Sequence, residues 1–482
     1  MIPRALIVIL PGIGGTRLMA SNGQVAYDGT PADFLSPSRL AALAELTELR
    51  PQGLLRDWRL CRFWTPIHGY EHLLESARRA LGVAPEDVDD GAGRPNLDAT
   101  VVGFGYDFRL GVQHASASLE RTLASRIANL WPRRVEQRAR VILVGHSMGG
   151  LVARHWVATS ALASTVRAVV TLGTPHRGAP KALDVMANGY PVQLPGVQKT
   201  HVPWVSPIAR SWPGMSDLLP QYPVVPQGAR QLRPPNLVRP VDSDLCWLAR
   251  AAESGAATHR QIRDGWRRLD DPPEVVPRLG FGHVTLRAVR RKGDSLSVDT
   301  GPDPHLGTHG DYWANDLGDG TVPATSAVPV ELGRHRPADF RVAARHGALV
   351  RMDMTDLLTS FGAAPPVPAV YMAEHRTYGL SIGLDLAEHV AAASPVNIAA
   401  TVWQRRGQAV ARRQENLPRE LVARVVPEGN RAMVGEVSMS LAATGEFRGT
   451  IPPLAPGLYD VQVHPRHLPH EPVHQLIDVI DE

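Results

Sequence analysis

Cysteine is scarce in this sequence. The 482 residues include only two cysteines, Cys61 and Cys246, which are too few for the disulfide framework of a small secreted domain. Neither cysteine has the neighbouring histidines or cysteines that a zinc site requires, so we expect no metal and no other cofactor. We interpret Cys61 as a small buried hydrophobic residue, which is the commoner role of a free cysteine.

Lysine is almost absent as well, and positive charge is nowhere concentrated. Three lysines occur in the chain, and the net charge of +4 comes from a modest excess of arginine. Arginine pairs such as Arg133-Arg134 and Arg290-Arg291 are far shorter than the basic blocks that bind nucleic acids. We therefore expect no nucleic-acid partner, whereas weak peripheral contact with an anionic membrane or lipid surface is compatible with this charge.

Long apolar runs are also missing. No stretch approaches the roughly 18 apolar residues of a transmembrane helix. The N-terminus resembles a signal peptide only weakly, because its apolar run at residues 5–10 is short, breaks at Pro11-Gly12 and precedes no small-residue cleavage site. We interpret residues 5–10 as a core strand. The expected location is the cytoplasm, with secretion as the less favoured alternative.

The most informative stretch is residues 141–154. Its first four residues are apolar and three of them are β-branched, which is typical of a buried strand. Residues 145–149 match Gly-x-Ser-x-Gly, and a helix-like segment follows at once. In this context the motif predicts a nucleophilic Ser147, exposed on a strained turn between strand and helix. The alternative is a glycine-rich turn in a sheet without catalytic function.

A second glycine-rich segment follows the first strand. Residues 11–17 read Pro-Gly-Ile-Gly-Gly-Thr-Arg, and a loop in this place can turn a backbone N–H toward the nucleophile. We expect Ile13 and Met148 to supply the two N–H groups of an oxyanion hole. The alternative is a phosphate-binding loop, but this segment has neither the lysine nor the glycine spacing of such loops.

Strand-like and helix-like segments alternate through residues 100–172. This alternation predicts an α/β fold with a mostly parallel sheet, in which catalytic residues lie at the carboxyl ends of the strands. In hydrolases of this type the acid and then the histidine follow the serine along the chain. Asp319, in a glycine-flanked loop, is therefore the predicted acid, and His346, after a strand-like stretch, is the predicted base.

Other residues compete for these two roles. Asp316 is the alternative acid, and Asp311 is less favoured. His146 and His176 lie at the expected active face but precede the acid in the chain, so we expect them to serve in positioning and packing. The remaining rivals are histidines in loops, where most histidines are merely solvated: His305, His309 and His335.

Changes in composition suggest the domain organisation. Proline and tryptophan accumulate over about residues 181–277, which predicts an inserted cap over the site. Short strands with turn signals near the end of the chain predict a small β-sandwich. We therefore expect a catalytic domain at 1–362, a transition at 363–392 and a β-sandwich at 393–482. The sequence does not indicate which protein partner, if any, the β-sandwich binds.

Five motifs occur in a fixed order. They are Pro11-Gly12-Ile13-Gly14-Gly15, Tyr106-Asp107-Phe108-Arg109, Gly145-His146-Ser147-Met148-Gly149, Gly173-Thr174-Pro175-His176-Arg177-Gly178 and Gly318-Asp319-Gly320-Thr321-Val322-Pro323. Over about residues 1–360 the chain thus resembles the lecithin:cholesterol acyltransferase-like family, which includes phospholipases A and phospholipid acyltransferases. The resemblance implies an α/β-hydrolase fold with a triad of Ser147, Asp319 and His346. It also implies that an Asp107–Arg109 pair holds a loop near the site.

The expected function follows from these residues and from the resemblance. It is that of a serine acyl hydrolase or acyltransferase, acting on lipid or phospholipid esters through an acyl-enzyme. A small-molecule carboxylesterase is the first alternative. The second alternative is a hydrolase-fold scaffold that uses the β-sandwich to bind a partner.

Overall fold

The computed structural model of the chain covers both predicted regions. It describes residues 4–30, 33, 39, 43–45, 49–56, 69–133, 137–192, 200–222, 224, 245–283, 285–292, 295–300, 318–332, 340–342, 344–363, 380–386, 389–392, 394–406, 409–411, 418–427, 433–442, 446–466 and 473–480. Several residues considered above lie outside these ranges: Cys61, Asp311, Asp316, His305, His309 and His335.

The N-terminal region alternates strands with helices. The strands are β1 (Leu6–Leu10), β2 (Thr16–Met19), β3 (Val25–Tyr27), β4 (Arg50–Leu54), β5 (Val88–Asp89), β6 (Val101–Gly103), β7 (Val141–His146), β8 (Val166–Leu172), β9 (Tyr190–Val192), β10 (Thr200–Val202), β11 (Glu274–Gly280), β12 (Ala288–Lys292), β13 (Ser295–Asp299) and β14 (Arg341–Val342). The helices are α1 (Glu71–Leu81), α2 (Gly111–Leu130), α3 (Met148–Thr159), α4 (Pro180–Asn188), α5 (Val205–Ser211), α6 (Pro213–Asp217), α7 (Cys246–Trp266) and α8 (Thr355–Ala363).

Seven of these strands form a parallel central sheet. Its order is β14-β11-β8-β7-β1-β6-β5, and every neighbouring pair in it is parallel. Parallel strands need crossover connections, which the intervening helices provide. The predicted α/β class, with a mostly parallel sheet, is therefore confirmed.

Helices cover both faces of the sheet. Along β1, Leu6, Val8 and Leu10 belong to one hydrophobic cluster together with residues of α2, α3 and α7. Ile7 and Ile9 belong to the opposite cluster, which includes residues of α1 and α8. Because side chains alternate across a strand, a strand covered on both faces must be apolar at every position. This explains why β1 and β7 are buried along their whole length.

Strand β11 departs from the sequence-based expectation. The alternation of strands and helices was expected to stop until about residue 277, but Glu274–Gly280 is a strand beside β8 in the central sheet. Its sequence, Glu-Val-Val-Pro-Arg-Leu-Gly, contains a proline, which speaks against a strand inside a sheet. Parallel pairing along β8 overrides that local signal, with Pro277 facing Thr171 in the register.

The C-terminal region is rich in antiparallel strands. These are β15 (Leu380–Leu386), β16 (His389–Ala391), β17 (Val396–Arg406), β18 (Ala409–Ala411), β19 (Glu420–Pro427), β20 (Gly435–Leu441), β21 (Phe447–Ile451), β22 (Gly457–Pro465) and β23 (Val473–Ile480). They pair in the order β15-β17-β21-β20-β19-β22-β23-β16, with β18 added to β17. All of these pairs are antiparallel except the one between β16 and β23.

This C-terminal sheet folds over on itself. Strands β15 and β16 stand at opposite ends of the strand order, yet only two residues separate Leu386 from His389 in the chain. The two ends of the sheet must therefore lie close together. Ile382 of β15 and Ile477 of β23 accordingly share one buried core. Two layers of strands around a single core are the arrangement that the predicted β-sandwich required.

Two smaller observations concern the surface and the membrane. Cys246 is a free thiol at an exposed position at the start of α7. Within the described ranges, no helix combines the length and the apolar character that crossing a bilayer requires.

Candidate active site

Ser147 occupies a sharp turn between β7 and α3. Its backbone adopts φ 51° and ψ −122°, which is a strained conformation for a residue other than glycine. The backbone N–H of Ser147 donates to the carbonyl of Leu172 at the end of the neighbouring strand β8. The turn also has to pass very close to β1, since a Cβ atom at Gly149 would lie 2.3 Å from the carbonyl oxygen of Leu10. The strand-turn-helix geometry that gives the Gly-x-Ser-x-Gly motif a mechanism is thus present.

The glycine-rich loop at residues 11–15 passes directly beside Ser147. A Cβ atom at Gly12 would lie 2.9 Å from the Cβ of Ser147. Three buried tyrosines hold this loop through their hydroxyl groups. Tyr106 donates to the carbonyl of Pro11 at 2.6 Å, Tyr70 accepts from the N–H of Gly12 at 2.8 Å, and Tyr27 donates to the carbonyl of Gly14 at 3.0 Å.

The backbone N–H groups of Ile13 and Met148 are the predicted oxyanion donors. Two other N–H groups of the loop are already used in hydrogen bonds. The N–H of Gly12 donates to the Tyr70 hydroxyl, and the N–H of Gly15 donates to the carbonyl of Gly12. Among the described residues, the N–H of Ile13 has no such acceptor. Met148 is the first residue of α3, where N–H groups have no partner within the helix. Both N–H groups match the donors predicted from the sequence, and their catalytic role stays a prediction.

Asp319 and His346 form a hydrogen-bonded pair. Oδ2 of Asp319 lies 2.7 Å from Nδ1 of His346, and the N–H of His346 donates to the carbonyl of Asp319 at 2.9 Å. The other carboxylate oxygen, Oδ1, accepts from the N–H groups of Thr321 at 2.9 Å and Val322 at 2.7 Å. A carboxylate can only accept, so Nδ1 carries a proton and Nε2 of a neutral His346 presents a lone pair.

The exposure of this pair suits an acid and a base. The Asp319 side chain is 1% exposed, whereas the His346 side chain is 15% exposed. A buried carboxylate with three donors holds one orientation, and a partly exposed imidazole can reach a substrate. Each is tied to the end of a central strand: His346 follows β14 in the chain, and Asp319 forms a bridge with His283, three residues beyond β11.

Gly173 brings the end of β8 against the same pair. A Cβ atom there would lie 2.8 Å from Oδ2 of Asp319 and 2.9 Å from Nδ1 of His346, and the φ of Gly173 is +56°. The position therefore tolerates no side chain. The Gly-Thr-Pro-His-Arg-Gly motif was visible in the sequence, but the role of its first glycine was not. The signal that was available is the placement of this glycine directly after a buried strand.

His146 connects the serine turn with His346. The two imidazole centroids are 4.9 Å apart, and Nε2 of His146 lies 3.1 Å from the carbonyl oxygen of His346. The residue before the serine thus touches the residue predicted to be the base. The hydrogen bonds described for these ranges do not include one between Ser147 and His346. Proximity of the two therefore rests on their shared neighbour, His146.

His176 has other partners. Its Nε2 lies 3.2 Å from Oγ1 of Thr171, and its Nδ1 lies 3.3 Å from Nη1 of Arg154. Burial, followed by the nearby charge of Arg154, lowers the pKa of His176 well below its usual value. A deeply buried imidazole with both nitrogens engaged is unsuited to proton transfer, so a packing role agrees with the geometry.

The Asp107–Arg109 pair is structural in its contacts. Arg109 donates from Nε and Nη2 to the two oxygens of Asp107 at 2.9 and 2.7 Å, and both side chains are buried. Its Nη1 reaches the carbonyls of Leu43 and Glu45 at 3.0 and 3.1 Å. The guanidinium therefore ties a separate segment of the chain to the start of α2.

Metal binding finds no support in the side-chain arrangement. Among the residues that the structure describes, no group of three or more histidine, cysteine or acidic side chains has the spacing of a metal site.

Comparison with known families matches one segment of the chain. Residues 114–194 match the PGAP1-like alpha/beta domain, and this segment holds the serine turn and the Gly-Thr-Pro-His-Arg-Gly loop. The chain has the α/β-hydrolase fold. The match is not to the lecithin:cholesterol acyltransferase-like family, so that narrower assignment stays a prediction. No curated protein sequence matches the chain.

Three solved structures are similar to it. The Tle4–Tli4 complex has 15% identity and a TM-score of 0.48, over 74% of this chain and 97% of that one. The Bacillus licheniformis lipase BlEst2 in its propeptide form has 10% identity and a TM-score of 0.34, over 98% and 93%. The BSP domain of a biofilm-associated protein has 15% identity and a TM-score of 0.15, over 21% and 15%. All three TM-scores are low, and the fold assignment rests on the strand order and the family match.

Proposed function

We propose that the protein is a serine acyl hydrolase or acyltransferase that cleaves esters through an acyl-enzyme. The observation that carries this proposal is the hydrogen-bonded Asp319–His346 pair, whose imidazole contacts His146 next to a serine on a strained turn. A serine hydroxyl is a weak nucleophile until a base removes its proton, and a histidine fixed by a carboxylate is the usual base.

The proposed reaction runs in two stages, which form and then release an acyl-enzyme. Nε2 of His346 takes the proton of Ser147 as the hydroxyl oxygen attacks the ester carbonyl. The oxyanion that forms accepts from the N–H groups of Ile13 and Met148, which are already oriented. His346 then donates its proton to the leaving alcohol. Water, or a second alcohol in the case of acyl transfer, releases the acyl group from Ser147 by the reverse steps.

A lipid or phospholipid ester is the proposed substrate. The five ordered motifs resemble a family of lipid-acting enzymes, and the region proposed as a cap, residues 181–277, carries exposed aromatic side chains. Trp204 is 43% exposed and Tyr190 is 37% exposed. Exposed aromatic residues favour contact with apolar or interfacial ligands. Transient contact of the protein with a lipid surface is part of this proposal. The proposed location of the protein is the cytoplasm.

The first experiment is ester hydrolysis across acyl chain lengths, with Ser147→Ala as the test variant. Ser125→Ala is the matched control, since Ser125 is an exposed serine on α2. We expect activity that rises with chain length, that is unchanged in the control, and that falls by about 10⁶ without Ser147. Hydrolysis confined to short chains would replace the lipase proposal with a small-molecule carboxylesterase.

Two further measurements separate the remaining alternatives. A fluorophosphonate should label Ser147 stoichiometrically, because an unactivated serine reacts poorly; wild-type protein that resists labelling would support a hydrolase-fold scaffold instead. Adding acceptor alcohols to the hydrolysis assay distinguishes an acyltransferase from a hydrolase by the ester product that forms.

A further inference from the structure

A chain of hydrogen bonds runs from the glycine-rich loop to the predicted base. The N–H of Gly12 donates to the Tyr70 hydroxyl at 2.8 Å, and that hydroxyl lies 2.9 Å from Nδ1 of His146. Nε2 of His146 lies 3.1 Å from the carbonyl oxygen of His346. Tyr70 is 3% exposed and His146 is 8% exposed, so water competes little for these bonds.

The acceptors along this chain fix the position of each proton. A carbonyl oxygen can only accept, so Nε2 of His146 donates to His346. A neutral imidazole then has its lone pair on Nδ1, which accepts the Tyr70 hydroxyl proton. The Tyr70 oxygen in turn accepts from Gly12. With the protons placed in this way, each donor of the chain has an acceptor. If His146 were doubly protonated, its Nδ1 could not accept, and the buried Tyr70 proton would have no acceptor among the described residues.

Burial reinforces this direction. Desolvation raises the pKa of Tyr70 above its usual value, although the N–H of Gly12 opposes the rise. Tyr70 therefore remains a phenol that donates. Its hydroxyl also leaves no spare room, because a Cβ atom at Gly15 would lie 2.8 Å from it. The hydroxyl thus has one position, and the loop and His146 are both set relative to it.

We infer that Tyr70 and His146 are positioning residues that hold the oxyanion-binding loop and His346 in one fixed arrangement. Both ends of the connection belong to the proposed machinery: Gly12 precedes Ile13, the proposed oxyanion donor, and the His346 carbonyl belongs to the proposed base. Oxyanion donors and base act in the same transition state, so their relative placement should affect kcat more than KM. This inference rests on the proposed function.

Tyr70→Phe removes one oxygen atom and keeps the ring. We expect kcat for the best ester to fall on the order of tenfold, with KM within about twofold of wild type. His146→Gln keeps an amide N–H that can reach the His346 carbonyl but loses the ring nitrogen that faces Tyr70. His146→Leu loses both contacts, and we expect it to be several-fold slower than His146→Gln.

The decisive measurement is a double-mutant cycle on kcat. Once one link is broken, breaking the next should cost little, so Tyr70→Phe combined with His146→Gln should be no slower than about the slower single variant. Tyr106→Phe is the matched control. Its hydroxyl holds the same loop through the carbonyl of Pro11, at 2.6 Å, rather than through the ring nitrogen of His146. The fold-changes in kcat caused by Tyr106→Phe and by His146→Gln should therefore multiply in the double variant.

The outcomes separate this inference from the proposed function. Wild-type protein that neither hydrolyses esters nor reacts with a fluorophosphonate overturns both. If the wild type is active, three results overturn the positioning role alone. Tyr70→Phe could keep its kcat, it could change only KM, or its loss of kcat could multiply fully with that of His146→Gln in the double variant. If thermal unfolding shows that Tyr70→Phe does not fold, equal kcat values for His146→Gln and His146→Leu would overturn it.

Discussion

A single methyl group at Gly173 should disable the site. Gly173→Ala would place a Cβ atom 2.8 Å from Oδ2 of Asp319 and 2.9 Å from Nδ1 of His346, on opposite ends of their 2.7 Å hydrogen bond. An ordinary contact of this kind is at least 3.4 Å. Both groups therefore have to retreat, the carboxylate oxygen by about 0.6 Å and the imidazole nitrogen by about 0.5 Å, which stretches the bond between them to about 3.2 Å, the upper end of the normal range.

The size of the effect follows from what that bond does. Misplacing a catalytic group by about 1 Å costs around 10² in rate, and losing the acid's hold on the histidine costs around 10⁴. We expect kcat/KM to fall between these limits, which corresponds to about 2.7 to 5.5 kcal/mol of transition-state stabilisation. Ester hydrolysis and the rate of fluorophosphonate labelling both measure it, and both should fall together.

Gly82→Ala is the control for backbone strain. Gly82 ends α1 with a φ of +65°, close to the +56° of Gly173, but nothing lies within 4 Å of its would-be Cβ atom. Both variants should lose about 1 to 2 kcal/mol of stability from a left-handed alanine. Only Gly173→Ala should lose activity. If its kcat/KM lies within about threefold of that of Gly82→Ala, the Asp319–His346 pair does not serve the reaction.

Three other changes test separate parts of the structure. Asp319→Asn should lower kcat by about 10⁴ in the ester assay while His346 stays in place, and a loss below tenfold would remove Asp319 from the mechanism. Arg109→Lys should lower the free energy of unfolding by about 3 kcal/mol in urea titrations, because a lysine cannot make the paired bonds to Asp107, yet the folded fraction should keep its kcat. Burial lowers the pKa of His259 from 6.5 to about 4, so the unfolded chain binds a proton first as the pH falls. Stability should drop between pH 6.5 and 4 by up to about 3 kcal/mol from this residue, and His259→Gln should flatten that slope in urea midpoints measured across the range.

The sheet and the serine turn were predictable because their signals are local. Strand β1 is an unbroken apolar run and β7 begins with four apolar residues, and a Gly-x-Ser-x-Gly motif after such a run indicates a turn from strand to helix. Chain order then narrowed the acid and the base to residues after Ser147. The structure pairs Asp319 with His346 across 27 residues of chain, a contact that the order suggested. The catalytic roles of these residues stay predictions.

The contacts that the sequence could not predict are distant in the chain. Tyr70 meets Gly12 and His146 over 58 and 76 residues, and no motif surrounds it. Strand β11 carries a proline and an arginine, so its local pattern argued against a central strand. Its place is decided by pairing with β8, which only the assembled sheet provides. Local propensity is a weak guide wherever tertiary pairing supplies the stability.

The order of the site along the chain has a consequence for biosynthesis. Residues 141–154, which form the serine turn, emerge from the ribosome first, and His346 follows about 200 residues later. At ordinary translation speeds this delay is about 10 to 40 s. During that time the nascent protein carries the proposed nucleophile without the proposed base, and strand β14, which leads to His346, is the last strand of the central sheet along the chain. On the proposed mechanism, a chain cut short before residue 346 should therefore not hydrolyse esters.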